Sequence, residues 1–136
     1  MPRSSLIRQL YERLVQASEI PIIESSEIIS KGLYRTEDGK KEIYIKQSLN
    51  VREKLKVLLH EYSHHIHLTH YYNHETRAQC EKIASGSGFL ISAKYELKLY
   101  GNAASSKLSD DTDTAGQLSA VIQSVAKHIL AGLQNK

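Results

Sequence analysis

The chain has 136 residues, 40% of them hydrophobic and 24% charged, with a formal net charge of +3. That length and balance predict one globular domain, residues 1–136, with a modest core. The small, dispersed positive charge gives no ground for nucleic-acid binding. No apolar run reaches the roughly 18 residues of a membrane span, and Met1-Pro2-Arg3-Ser4-Ser5 lacks the apolar core of a signal peptide, so a cytoplasmic protein is expected. Cys80 is the only cysteine, excluding an internal disulfide and predicting a buried free thiol.

Taken in chain order, Ser5 to Ala17 has the periodicity of an amphipathic helix. Gly32 to Arg35 and Glu42 to Lys46 alternate as strands around Asp38-Gly39, a hairpin signal. Asn50, with Glu53 three residues later, resembles a capping box, and Leu55, Leu58, Leu59, Tyr62 and Ile66 recur at helical spacing, so a helix with one buried side should follow.

That helix carries His60-Glu61-Tyr62-Ser63-His64, an HExxH pattern. Residues four apart lie on one helix face roughly 6 Å apart along the axis, so His60 and His64 can converge on one zinc ion. Glu61 then sits beside the metal, where a general base can deprotonate a metal-bound water. Seven histidines make the pattern reachable by chance in roughly three shuffled chains in a hundred, so its surroundings must decide. The apolar stripe beside the histidine pair places it at the edge of the core.

His67 shares that face but lies roughly 10 Å from His60 along the axis, too far for a straight helix to bring all three to one ion. A third ligand must come from another element. Asn73 reads as an N-cap for a helix from about His74 to Ser85, ended by Gly86 and Gly88. Glu75 in its first turn can point back at the HExxH helix, with the small Ala78 on the same face allowing close approach. Glu75 is therefore the expected third ligand, with His70, His74 and Glu81 as alternatives. Glu81 also reads as a surface ion pair with Arg77, four residues earlier. His65, His67, His70 and His74 read as solvated, and His128 as structural or exposed.

HExxH followed by a helix bearing Glu-x-x-Ala resembles the gluzincin arrangement and, within it, the ImmA/IrrE-like metallopeptidase domains. The resemblance covers residues 5 to 90. It implies an α+β, zincin-like domain: an N-terminal helix, a short antiparallel sheet, the HExxH helix packed on the Glu-bearing helix, and here a C-terminal helix. It also implies one Zn²⁺ per chain held by His60, His64 and Glu75, with Glu61 as catalytic base. This chain departs from the family in its short His64–Glu75 spacing and in Gln79, where an acidic residue or Asn is common. The expected function is a metallo-endopeptidase cutting a protein or peptide substrate, in that family a transcriptional regulator. The alternative is a non-catalytic, zinc-stabilised interaction module.

Tyr71, Tyr72 and Tyr95 are candidates for stabilising an oxyanion, with none preferred. If the strand Glu42 to Lys46 were an exposed edge, a peptide would pair with it and Tyr44 would line a subsite; the alternative is that Ile20 to Ser30 covers it. Asn102 to Thr114 reads as a polar connection. Leu118, Val121, Ile122, Val125, Ile129 and Leu133 mark a helix from about Asp113 to Leu133, expected to pack on the first helix or the back of the HExxH helix. A monomer is expected, with a dimer contact as the other use of that stripe.

Overall fold

A computed structural model describes residues 3–100 and 112–134. In chain order the elements are α1 (Arg3–Ala17), β1 (Ile22–Ser25), β2 (Gly32–Glu37), β3 (Lys40–Lys46), α2 (Val51–Ile66), a π-helical turn (His67–Tyr71), α3 (Arg77–Lys94) and α4 (Thr112–Gln134). The fold is α+β, as expected. Most of the stretch read as a polar connection, Asn102 to Thr114, lies outside the described residues, and its end belongs to α4. Among the described residues no helix is long and apolar enough to cross a membrane.

The sheet is mixed and not purely antiparallel, with strand order β1-β3-β2. β2 and β3 form the hairpin, and its Asp38-Gly39 turn has positive φ at both residues (52° and 79°), as a type I′ turn requires. β1 lies parallel to β3, pairing Ile22 with Ile43 and Glu24 with Ile45. The expectation that Glu42 to Lys46 forms an exposed edge is therefore overturned: β3 is the central strand, because part of the Ile20 to Ser30 segment occupies its free side.

One face of the sheet is buried. Ile43 and Ile45 are fully buried and share their face with Tyr34 and Gly32 across the hairpin, beneath α2. Tyr44 pairs with Leu33 on the opposite, more open face, where its hydroxyl donates to Glu42 at 3.2 Å.

α2 starts as its sequence requires, with the Asn50 side chain accepting the Glu53 N–H at 2.9 Å. Leu55, Leu58, Leu59, Tyr62 and Ile66 are buried along one stripe. Leu10 and Leu14 of α1 belong to the same core, and each fully buried side chain of this kind contributes about 1.5–3 kcal/mol. Leu118, Ile122, Val125, Ile129 and Leu133 of α4 are buried as the periodicity predicts. Their chief cover, however, is α3, with α2, the π-turn and α1 following.

The second helix differs most from expectation. Its N-cap is Thr76, not Asn73, through a complete capping box: Thr76 Oγ1 accepts the Gln79 N–H at 3.1 Å and the Gln79 side chain accepts the Thr76 N–H at 2.8 Å. Gly86 and Gly88 do not end it. Both are buried inside α3, and at Gly88 a Cβ would collide with Tyr100, so that glycine serves packing. The helix ends instead at Lys94, with Tyr95 as its cap and Glu96 next in the left-handed conformation (φ 57°). There the Glu96 and Leu97 N–H groups bond the carbonyls of Ala93 and Ser92 in the pattern of a Schellman motif, with Leu97 buried.

Candidate metal centre

His60 and His64 lie on the same face of α2, one turn apart, with ring centroids 4.8 Å apart. α3 crosses this face and delivers Glu81. One carboxylate oxygen lies 3.0 Å from His60 Nε2 and the other 2.9 Å from His64 Nε2. The ligand atoms of the three residues all lie within 4.8 Å of one another. Around a tetrahedral zinc with bonds of about 2.0–2.2 Å, ligand atoms lie roughly 3.3–3.5 Å apart, so this donor set has the size and chemistry of a three-ligand zinc site with one side open. His64 is buried, which lowers its pKa below that of an ordinary imidazole despite the Glu81 carboxylate, and favours the neutral form that ligation needs.

Glu61 follows His60 on α2 and is half-buried. Burial raises its pKa, and the negative charge of Glu81 adds to this, while His60 and the backbone N–H of Tyr34 act the other way. Its surroundings are set by β2, which approaches α2 closely at Gly32. A Cβ there would collide with Val57 and lie 3.5 Å from Glu61 Cγ.

Glu75 is not brought to this pair. It precedes the Thr76 cap, outside α3, and its carboxylate binds His67 Nε2 at 2.6 Å and accepts the Asn73 N–H at 3.1 Å. Its pKa is held below the usual carboxylate range because the Asn73 N–H and His67 together outweigh the upward effect of burial. The cap explains the difference: with the helix starting at Thr76, Glu81 instead of Glu75 faces α2. Ala78 is exposed and mediates no close approach.

Two of the other histidines also differ from expectation, whereas His70 and His74 are exposed as expected. His65 and His67 are buried, not solvated. His65 Nδ1 meets the Tyr34 hydroxyl at 2.9 Å and its Nε2 meets Glu19 at 2.9 Å. Cys80 is half-buried, its Sγ 3.9 Å from the Glu75 carbonyl. Among the tyrosines considered for an oxyanion, Tyr71 meets His128, Tyr72 meets the Glu75 carbonyl, and Tyr95 caps the far end of α3. None of the three is hydrogen-bonded to the His60–His64–Glu81 set. Tyr44 lies on the sheet face turned away from α2, which removes it from any subsite beside Glu61.

Glu81 was the residue undervalued in the sequence. The signal that finds it is the Thr76-x-x-Gln79 capping box, which fixes where α3 begins and hence which carboxylate faces the histidines. No protein-family model, curated protein or solved structure matches this chain.

Proposed function

We propose that this chain is a zinc-dependent peptidase whose metal is held by His60, His64 and Glu81. The observation that carries the reading is the convergence of two helical imidazoles and a carboxylate from a second helix, with Glu61 next to them on α2. A bound zinc supplies Lewis acidity, which acidifies water and polarises an amide carbonyl. Glu61 takes the proton from the attacking water and returns it to the leaving amine. Its half-buried position and raised pKa suit a group that must both take and release a proton. Three protein ligands favour catalysis over a purely structural site, which usually has four.

The substrate class follows from the strand beside the base. β2 is the outer strand on this side, and by the alternation of its ladder the backbones of Gly32, Tyr34 and Thr36 face away from β3. Glu61 takes the Tyr34 N–H, and an extended peptide can pair with the other outward backbone groups and run past Glu61, so the substrate is a peptide or an unfolded segment of a protein.

The test is Glu61→Gln in zinc-loaded protein, measured against a mixed peptide library. Cleavage by the wild type that is lost in the variant, with zinc content and melting temperature unchanged, supports the enzyme. Zinc binding with no cleavage by either protein favours a zinc-stabilised interaction module instead.

A further inference from the structure

A second cluster of metal-binding side chains stands behind α2. Glu19, from the junction between α1 and β1, places Oε1 3.1 Å from His70 Nε2 and 3.2 Å from His128 Nε2. The three offer ligand atoms within 4.8 Å of one another. They come from the start, middle and end of the chain, 51 and 109 residues from Glu19, so no local sequence pattern produces the meeting. We propose that Glu19, His70 and His128 form a second divalent-metal site, for zinc or a similar late transition ion, which fastens the C-terminal helix to the α1–β1 junction.

Glu19 and His128 are each held by partners outside the set. The Glu19 N–H donates to the Tyr62 hydroxyl at 3.0 Å, and its Oε2 meets His65 Nε2 at 2.9 Å, so both its backbone and carboxylate are positioned. The His70 and His128 rings stack with centroids 4.6 Å apart and planes 25° apart, presenting both Nε2 atoms to the Glu19 carboxylate, with His70 Nε2 also 3.0 Å from Oε2. Tyr71 holds His128 by the other nitrogen, its hydroxyl 3.1 Å from Nδ1. When Nδ1 carries the proton and donates to that oxygen, Nε2 is left with a lone pair aimed at the carboxylate. A cation resolves that contact, and an imidazole held through its second nitrogen is the usual support of a metal ligand. His70 reaches the site because it lies in the π-helical turn, a distortion found often at functional sites. Beside Glu19 and His128 a cavity of about 270 Å³, lined also by Leu14, Tyr62 and Gly132, leaves room for a further ligand such as water.

Imidazole and carboxylate donors suit zinc, copper, nickel and cobalt, and zinc is the probe to use first. The experiment is equilibrium dialysis of the full chain against zinc alone, followed by elemental analysis. Four proteins are compared: wild type, His60→Ala/His64→Ala, His70→Gln/His128→Gln, and the combination. The expected zinc contents are two, one, one and none per chain. In the His60→Ala/His64→Ala protein, zinc should also raise the melting temperature, and this shift should vanish in the combination. One zinc in the wild type and none in His60→Ala/His64→Ala overturns the second site and leaves Glu19, His65, His70 and His128 as a hydrogen-bonded network. The His70→Gln/His128→Gln protein reports on the HExxH site alone, so failure of either site is seen separately. Should it fail to fold, Glu19→Gln in the His60→Ala/His64→Ala background asks the same question, and one zinc retained there would also overturn the proposal.

Discussion

Replacing Glu81 and Glu75 separately by alanine gives opposite outcomes, because the two carboxylates do different work. Glu81 has a side chain 56% exposed and pairs only with His60 and His64 among the described residues, so in metal-free protein its removal changes stability by less than about 1 kcal/mol. In the proposed zinc site it is one of three ligands. Loss of an outer partner of a ligand already costs about 10–100-fold in metal affinity, so loss of the ligand itself should cost at least about 100-fold, or roughly 2.7 kcal/mol. Glu75 has the reverse profile. Its side chain is 10% exposed and bonds to His67, which is fully buried and whose Nδ1 has no hydrogen-bond partner among the described residues. Alanine there leaves a buried imidazole without any bond, a loss of about 1–3 kcal/mol. For a domain of this size each kcal/mol moves the melting temperature by roughly 3–4 °C. Zinc titration against a chromogenic chelator, with calorimetric melting of the metal-free proteins, measures both quantities. Wild-type zinc affinity at the HExxH site in Glu81→Ala, or loss of that zinc in Glu75→Ala, would refute the ligand assignment.

Other outcomes follow from the same structure. Thr76→Ala removes the cap that starts α3 and should lower stability by about 1 kcal/mol while weakening zinc binding, since Glu81 depends on that start; chemical denaturation and zinc titration report each effect. Gly32→Ala forces β2 away from α2 and should destabilise by about 1–3 kcal/mol, with partial rescue by Val57→Ala, measured as a double-mutant cycle in urea. Ile129→Ala, at a buried position of α4, should cost about 2–5 kcal/mol, and an unchanged urea midpoint would show that α4 adds nothing to the core. Glu24 accepts from Tyr11 at 2.8 Å and pairs with Lys54 at 2.8 Å, and these partners hold its pKa below the ordinary range against the effect of burial. Because its pKa falls on folding, its contribution is complete above the unfolded value of about 4.3 and is lost as pH drops through the lower folded value. Glu24→Gln should therefore cost about 0.5–1 kcal/mol at pH 7, and thermal melts across pH 2–7 should show the gap to wild type closing below pH 4.

Features encoded by short-range chemistry were legible from the sequence. The Asn50 cap, the apolar stripes of α2 and α4, and the Asp38-Gly39 turn all follow from residues within a turn or two of one another. Features set by tertiary contacts were not. β1 is four residues long, and nothing in Ile22–Ser25 announces a parallel partner, so the covering of β3 by this segment stands in the sequence only as an alternative. Gly86 and Gly88 look like terminators because glycine favours helix ends, yet the helix runs through both, with Gly88 packed against Tyr100 and α2. Glu75 stands away from the histidine pair for a related reason: Asn73 resembles a cap, but the capping box starts α3 at Thr76, three residues later. Within the site, His60, Glu61 and His64 were read directly from spacing, whereas Glu81 required knowing where α3 begins. Glu19 required knowing the fold itself.

The π-helical turn from His67 to Tyr71 also bears on how this chain tolerates change in length. A regular helix advances each residue by about 100°, and a wide turn holds one residue more than that rhythm allows. His60 and His64, before it, aim at Glu81 and His70, near its end, aims at Glu19, so the extra residue sets the relative direction of these three. Deleting a single residue between His67 and Tyr71 would restore the regular rhythm and swing His70 roughly a quarter of the way round the axis. Among otherwise similar chains, residue count in this short segment should therefore be fixed more strictly than residue identity.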